Sequence, residues 1–348
     1  MGWIDSTAWD PAQGKPLVQL LAEHYPNEAL VRALLENAQI PVRFLRTGNV
    51  SMELYWRGLA EDLHNNHLLR ALVDQAALDT PAIAAQLAAF DQVDAEREAM
   101  PIAERYGLRM LRPGHRPFIN RVSLRGRLQQ LIEEGYPVLI VRGPERTGKS
   151  FSFQLLEQVL PDDIRLVWVD FSSPGSGRSA TDLADLLYAR FALDRPPATG
   201  RRTTGVRRAI ELVHHFAASY NRTESGKTIL FVDGLNRVDL SRDTLAFVSQ
   251  LIADVGRGQV KDVQLVLAGY AEQFDAQISA LVLVEDVVPL TRTDLKTFFE
   301  ACAADAGRQL GQKEVTTILQ AVLADDPTID ELAVRARAKA LNLMGIGP

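Results

Sequence analysis

The sequence predicts an α/β protein: a parallel sheet with helices on both faces, preceded by a small all-α bundle and followed by a helical segment. Three observations predict this class. Residues 1–92 show apolar positions at helical spacing and no strand-like alternation. From Phe118 onward, short apolar runs alternate with amphipathic helical stretches, which is typical of a parallel sheet. After Asp294 the pattern is helical again to about Leu343.

The composition narrows the class of function. The chain has 348 residues, of which 47% are hydrophobic and 24% charged, as in ordinary globular proteins. The formal net charge of −6 argues against a general nucleic-acid binder, which needs a basic surface. The single cysteine, Cys302, excludes an intrachain disulfide and a cysteine-based zinc cluster. Without a signal peptide or a membrane-length apolar run in the sequence, we expect a cytoplasmic protein.

Residues 1–92 are predicted to form a compact helical bundle with 6 basic and 11 acidic residues. The predicted helices cover 17–25, 30–35, 51–63 and 68–73, with a last one from Pro81 to about Phe90. Trp56 is interpreted as a core residue of this bundle, with an interface anchor as the alternative.

Residues 93–117 are predicted to be a linker with a short helix near 95–106, because charged residues are followed by helix breakers. The linker carries positive side chains that either contact nucleic-acid phosphates, lie near the nucleotide or lie in solvent. These are Arg105, Arg109, Arg112, His115 and Arg116.

The central segment supplies the elements of the sheet. Buried-strand runs occur at 138–142, 165–170, 228–233 and 263–268, with a fifth strand expected at 287–290. Helices are predicted at 122–134, 149–160, 180–191, 206–220 and 244–255.

The segment between the first strand and its helix matches G-x-x-x-x-G-K-[ST]. Glycines in such a loop let backbone N–H groups turn inward around phosphate oxygens, and the following helix N-terminus adds its dipole. Lys149 is expected to reach the β- and γ-phosphates, and the Ser150 hydroxyl to ligate Mg²⁺. The predicted nucleotide-binding residues of this segment are Gly143, Pro144, Glu145, Arg146, Thr147, Gly148, Lys149, Ser150 and Phe151.

A second strand ends in an acid at Asp233, which is expected to hold the Mg²⁺ and to take part in catalysis with Lys149. The residue after Asp233 is glycine, not an acid that would activate water. Asn236 is a candidate for positioning that water, and Asp239 is the nearest later acid. The sequence therefore supports nucleotide binding better than fast hydrolysis. Tyr270, after the fourth strand, either senses the γ-phosphate or packs in the loop.

With these motifs in place, residues 118–290 resemble the ATPase core of the STAND branch of AAA+-related P-loop NTPases, which contains the NACHT-type signalling ATPases. Phe118-Ile119-Asn120-Arg121 is similar to the F-h-G-R motif of that family, and the resemblance implies that Asn120 and Arg121 lie beside the adenine. Residues 143–150 correspond to Walker A and 229–234 to the hhhhDG form of Walker B. Residues 292–343 fit the helical lid. The family usually continues DG-x-DE, where this chain has Asn236 and Arg237, and Tyr270 replaces its sensor-1 arginine.

The N-terminal residues resemble a bacterial effector-associated domain of the death-like helical type. That resemblance implies a homotypic adaptor that pairs with a like bundle on an effector or adaptor protein. Oppositely charged faces would give such contacts between copies, although they are also compatible with an ordinary solvated surface. The candidate basic face holds Arg43, Arg46, Arg57 and Arg70, and the acidic face Glu23, Glu28, Glu61 and Asp62.

We therefore expect an effector-associated domain at 1–92, a linker at 93–117, a P-loop NTPase core at 118–290 and a helical lid at 291–348. The expected cofactors are ATP and Mg²⁺, and the expected partners are an effector protein and, in a nucleotide-dependent manner, further copies of the chain. The favoured hypothesis is a signalling ATPase with weak turnover in a bacterial conflict or immunity system. The alternatives are an AAA+-like ATPase acting on nucleic acid or protein, and a nucleotide-binding scaffold with little or no hydrolysis.

Overall fold

The structure is a computed structural model whose chain divides into two compact units. One consists of Met1–Asn120 with Thr291–Pro348, and the other of Arg121–Leu290, so the second unit is a continuous insertion in the first. The described residues are 17–45, 51–65, 68–85, 87–88, 99–111, 115–161, 163–171, 179–191, 193–194, 205–223, 226–236, 240–271 and 276–346. Among them, none of the helices has both the length and the apolar character needed to cross a membrane.

The N-terminal part of the first unit is the predicted helical bundle. Its helices are α1 (Leu17–His24), α2 (Glu28–Asn37), α3 (Met52–Asn65) and α4 (Leu69–Asp79), with a 3-10 turn at Val42–Phe44 and further helical residues at 81–85. The Asn27 side chain caps α2 by accepting from Leu30 N at 3.0 Å. The apolar faces of these helices meet in a single core.

Trp56 is at the centre of that core. Its side chain is fully buried, its Nε1 donates to Tyr25 O at 3.2 Å, and its ring meets the Tyr25 ring edge-on at 6.0 Å between centroids. The interpretation of Trp56 as a core residue is therefore confirmed, and the interface-anchor alternative is excluded.

The rest of the first unit contains a short hairpin and three C-terminal helices. The linker forms α5 (Ile102–Arg105) and an antiparallel pair, β1 (Met110–Leu111) with β2 (Arg116–Pro117). That pair was not predicted, because two-residue strands are too short to show a period. The segment predicted as a helical lid forms α12 (Arg292–Asp305), α13 (Gln312–Val322) and α14 (Ile329–Leu343), each extending from a Thr or Gly N-cap.

The second unit is built on five parallel strands, β3 (Val138–Arg142), β4 (Arg165–Asp170), β5 (Thr228–Asp233), β6 (Val263–Ala268) and β7 (Val282–Asp286). Their order across the sheet is β4-β5-β6-β3-β7. Strand β6 therefore lies between β5 and β3, the strand that precedes the 143–150 loop. The helices are α6 (Val122–Glu133), α7 (Phe151–Val159), α8 (Ala180–Arg190), α9 (Gly205–Tyr220), α10 (Arg242–Gly256) and α11 (Ala276–Ser279). The predicted α/β class is confirmed.

Alternate residues of each strand enter different layers, as the two-residue period of a strand requires. Val169 and Val232 belong to a core that includes side chains of α8, α9 and α10. On the opposite face, α6 contacts β3 and β7, and α7 contacts β4. The sheet is therefore covered on both faces, which explains why its central strands consist of apolar runs.

The prediction of a fifth strand at 287–290 is wrong, because β7 occupies Val282–Asp286 and 287–290 has no regular structure. The segment 287–290 is a poor strand candidate, because Pro289 has no N–H to donate to a neighbouring strand. The true strand ends in acids, which weakens its apolar signal. Asp286 is stabilised there by Arg142, whose Nε donates to it at 2.7 Å.

Candidate nucleotide-binding site

The 143–150 loop connects β3 to α7 with an unusual backbone path. Gly143, Arg146 and Gly148 have φ of 146°, 57° and 81°, in the region that favours glycine. A Cβ on Gly143 would lie 2.2 Å from the Val287 carbonyl oxygen, so only glycine allows this close approach. Within the loop, Pro144, Glu145 and Arg146 are exposed and Thr147 is buried.

Lys149 places its positive charge inside the loop. The side chain is only 6% exposed, and its Nζ donates to Gly143 O at 3.0 Å and to Pro144 O at 2.6 Å. Thr147 Oγ1 donates to the same Pro144 carbonyl at 2.9 Å. A buried ammonium within a turn of backbone amides fits a phosphate group, which is anionic and rich in acceptors.

Arg142, the residue before the loop, forms a two-point ion pair with Asp286 of β7, through Nε at 2.7 Å and Nη2 at 3.2 Å. The hydrogen bond from Arg142 lowers the pKa of the Asp286 carboxyl and, in return, raises the pKa of Arg142. Both side chains are well exposed to solvent, so the pair contributes at most about 1 kcal/mol to stability.

Of the two residues predicted to lie beside the adenine, Arg121 is the one that contacts the 143–150 loop. Its Nη2 donates to Thr147 O at 2.7 Å, and its Nη1 reaches Val288 O at 3.4 Å. The guanidinium therefore contacts the backbone of the loop itself.

Asn120, the adjacent residue, belongs to the first unit and makes its contact there. Its Nδ2 donates to Asp294 in the first turn of α12, and Asp294 forms a capping box with Thr291. The φ of Asn120 is 40°, a region that glycine and asparagine adopt most readily. This explains why asparagine replaces the glycine of the F-h-G-R motif.

Helix α7 covers β4 and β5 near the ends where their acids lie. The Phe153 ring packs against Trp168 of β4 at 4.9 Å and against Phe231 of β5 at 5.5 Å between centroids. Asp233 is two residues beyond Phe231 and therefore projects to the same face of the sheet. The fold thus brings Asp233 to the face of the sheet that the loop's own helix covers.

The oxygen donors of Ser150 and Asp233 fit a hard cation such as Mg²⁺. Ser150 is the N-cap of α7, yet within the described residues its hydroxyl makes no capping hydrogen bond. Asp233 is 6% exposed and accepts from Gly234 N at 2.7 Å, the one hydrogen bond of its side chain in the described part of the chain. A buried carboxylate with an oxygen still to be paired suits a metal-associated role.

Asn236 lies against the end of β6. A Cβ built on Gly269 would be 2.4 Å from Asn236 Oδ1, so this amide is in close contact with the Gly269 backbone. Tyr270 is buried in the core, and its hydroxyl is hydrogen-bonded to Ser249 Oγ at 2.9 Å. This favours packing over phosphate sensing for Tyr270. Arg237 and Asp239 lie outside the described residues.

Asp170 is the residue that sequence reasoning missed. It ends β4 and lies directly opposite Asp233 in the parallel register. The sequence shows an acid at the end of a predicted strand, but it does not show which strand is its neighbour or in what register.

Two arginine side chains of the linker form hydrogen bonds or ion pairs with residues of the first unit. Arg105 is buried and its Nε donates to Met100 O at 3.0 Å, while Arg109 forms an ion pair with Asp305 of α12 at 2.5 Å. These contacts favour a structural role over phosphate binding for both. Arg112 lies outside the described residues.

For the proposed basic and acidic faces of the helical bundle, the structure describes only some of the charged side chains. Arg70 pairs with Asp74 and Glu28 with Arg32, each one helical turn apart on its own helix. The side chains outside the description are those of Arg43, Arg46, Arg57, Glu61 and Asp62.

Comparison with known proteins gives two family matches. Residues 132–278 match the family described as AAA domain, and residues 7–93 match Effector-associated domain 1. No curated protein matches the chain.

Three solved structures show distant similarity. Two variants of RuvB from Thermotoga maritima are 14% and 13% identical with TM-scores of 0.36 and 0.35, and each match covers 66% of this chain and 65% of RuvB. The chain thus spans just under two thirds of the length of RuvB. The E. coli MS115-1 HORMA:CdnC:Trip13 complex matches at 13% identity with a TM-score of 0.32, covering 61% of this chain and 75% of that chain.

Together with the fold and the loop, the first family match identifies residues 132–278 as an AAA-type P-loop domain, a class whose fold implies nucleotide binding, typically with Mg²⁺. The second match adds an effector-associated domain at the N-terminus. This combination is consistent with the STAND-like P-loop NTPases that the motifs resemble.

Proposed function

We propose that this protein is an ATP-controlled signalling switch whose N-terminal domain recruits an effector in a bacterial conflict or immunity system. The observation that carries the proposal is the 143–150 loop, with its buried Lys149 ammonium at the start of α7. The match to an effector-associated domain supports the output side of the switch.

In this proposal ATP is bound by the loop and Mg²⁺ by the Ser150 hydroxyl and the Asp233 carboxylate. Backbone N–H groups at the start of α7 and the Lys149 ammonium neutralise the phosphates. The metal offsets the charge of the β- and γ-phosphates when bound. Arg121 holds the loop through Thr147 O, which keeps these donors in place.

The path of the chain suggests how the state of the loop reaches the first unit. The backbone passes between the units at 120–121 and at 290–291. Arg121 is bonded to the loop, whereas Asn120, one residue earlier, is bonded to Asp294 of α12. If ATP binding moves the loop, Arg121 is expected to move with it, and the backbone of Asn120, its neighbour in sequence, is expected to follow. The switch requires only that two conformations of the protein differ in their affinity for the nucleotide, so it does not depend on rapid turnover.

The first experiment compares the full chain with Lys149→Ala and with Lys261→Ala, which removes an exposed lysine outside the loop. Titration calorimetry measures the affinity for Mg·ATP and Mg·ADP. Loss of one charged hydrogen-bond donor predicts about 10- to 100-fold weaker ATP binding for Lys149→Ala. The Lys261→Ala variant is expected to bind like the parent.

The second measurement is the molar mass in solution, by light scattering, with ATP, with ADP and without nucleotide. At an ATP concentration close to the Kd of the parent, we expect ATP to change the assembly state of the parent and of Lys261→Ala but to leave that of Lys149→Ala nearly unchanged. Assembly of Lys149→Ala in the same way as the parent would contradict the switch. Equal affinity for ATP and ADP without any change of state would instead indicate a scaffold, and strong stimulation of turnover by DNA would indicate a nucleic-acid enzyme.

A further inference from the structure

Two carboxylates lie side by side at the carboxyl edge of the sheet. Asp170 of β4 is the Cα partner of Asp233 of β5, and Phe171 N donates to Asp233 O at 3.0 Å, which joins the two strand ends. Paired residues on adjacent parallel strands point to the same face, about 4.8 Å apart in the hydrogen-bonding direction.

Both acids lie on the face that α7 covers. Trp168 and Phe231, which precede Asp170 and Asp233 by two residues, both contact Phe153 in the first turn of α7. Val169 and Val232, one residue earlier than each acid, instead enter the core on the opposite face. Since α7 begins directly after the loop, the two carboxylates lie at the end of the sheet where the phosphates are proposed to bind.

The two carboxylates differ in environment. Asp233 is buried, and Gly234 N holds one of its oxygens. Asp170 is on the edge strand and is partly exposed. This difference suits a division of roles in which the buried acid is associated with the metal and the outer acid faces water.

We propose that Asp170 is the general base for ATP hydrolysis, in place of the acid that is missing after Asp233; this inference rests on the proposed function. The Asp170 carboxylate orients a water molecule and accepts its proton while the water oxygen bonds to the γ-phosphorus. The bond from the γ-phosphorus to the β–γ bridging oxygen breaks, so that ADP and inorganic phosphate are formed. Asp170 then releases the proton to solvent. Residue 234 itself has a φ of 83°, which favours glycine over an acid at that position.

The test uses the full chain and three substitutions, Asp170→Asn, Asp170→Glu and Asp163→Asn. Asp163 is an exposed acid shortly before the opposite end of the same strand and serves as the matched control. Phosphate release gives kcat and KM, and calorimetry gives the affinity for Mg·ATP. Asp233→Asn provides the reference for loss of the metal-associated carboxylate.

We expect Asp170→Asn to bind Mg·ATP within about 3-fold of the parent, with KM similarly unchanged and kcat lowered about 100-fold or more. Asp170→Glu should keep part of the rate, because it restores a carboxylate that is displaced by one methylene. Asp163→Asn should match the parent. If Asp170→Asn does not fold, the Asp170→Glu variant tests the inference instead. The inference requires this variant also to have a lower kcat than the parent and an unchanged affinity for Mg·ATP.

Three results would overturn the inference. One is parental kcat in Asp170→Asn. Another is loss of Mg·ATP affinity in Asp170→Asn as large as in Asp233→Asn, which would make Asp170 a metal-holding residue. The third is a parent chain that binds ATP without hydrolysing it, which would refute the role of Asp170 as general base but would still be compatible with the proposed switch. A parent chain that does not bind ATP would instead refute the proposed function itself.

Discussion

Replacing Gly143 by alanine tests the close approach between the loop and the end of β7. The added Cβ would lie 2.2 Å from Val287 O and 3.2 Å from Val287 C, and the residue would keep a φ of +146°. One of the two backbones must move by about 1 Å to reach an ordinary contact distance of about 3.4 Å. That movement pulls on the hydrogen bond from Val287 N to Arg142 O, now 2.8 Å long.

The cost can be worked from two contributions. An alanine held in this φ region costs about 1–3 kcal/mol, and loss of the Val287–Arg142 hydrogen bond about 0.5–1.5 kcal/mol. We therefore expect Gly143→Ala to lower the free energy of unfolding of the second unit by about 2–4 kcal/mol.

Urea denaturation, followed by circular dichroism, measures this cost against two other glycines. Gly135 has a φ of +76° with nothing within 4 Å of its added Cβ, so Gly135→Ala isolates the backbone term, about 1–2 kcal/mol. Gly126 lies within α6 with equal space, so Gly126→Ala should stabilise by about 0.5–1 kcal/mol. If Gly143→Ala is no less stable than Gly135→Ala, the close contact is not what constrains the loop.

Three further predictions concern other parts of the chain. Burial raises the pKa of the Cys302 thiol to about 12, so at about pH 8 Ellman's reagent should label it slowly in the native protein and fully in denaturant; rapid native labelling would contradict its burial. Trp56→Phe removes the hydrogen bond to Tyr25 O and should destabilise the bundle by about 1–3 kcal/mol in urea titrations, and an unchanged midpoint would count against this contact. The pKa of Asp286 is lowered by Arg142, so its ion pair stabilises the fold above the carboxyl's usual pKa of 3.8 and loses this contribution as the pH falls further; the free energies of unfolding of parent and Asp286→Asn, measured in urea, should therefore differ by about 1 kcal/mol or less at neutral pH and converge in acid.

The strands that lie in the middle of the sheet were the easiest to predict. Residues 138–142, 228–233 and 263–268 lie in strands with neighbours on both sides and are largely buried, so each is a mainly apolar run flanked by helical patterns. Edge strand β7 was misplaced for the opposite reason, because its two final acids interrupt the apolar signal. The β1–β2 hairpin was missed because its strands have two residues each.

The loop could be predicted from sequence because its chemistry is local. Eight consecutive residues carry the glycines, the lysine and the serine, and the flanking strand and helix are visible in the hydrophobic pattern. The pairing of Asp170 with Asp233 is not local, since it depends on strand order and register across 62 residues of intervening chain. The contact of Arg121 with Thr147 O likewise depends on how α6 and the loop are folded together.

The continuous insertion of Arg121–Leu290 has a consequence for biosynthesis. The ribosome delivers the whole nucleotide-binding unit before it makes any residue of α12, α13 or α14. The β2 strand, made much earlier, has α14 as a contact and must wait for the last helix to emerge. Folding during translation is therefore ordered: the inserted unit is able to fold while the surrounding unit still lacks its C-terminal third, so under the proposed function a nascent chain can bind ATP before α12, α13 and α14 exist.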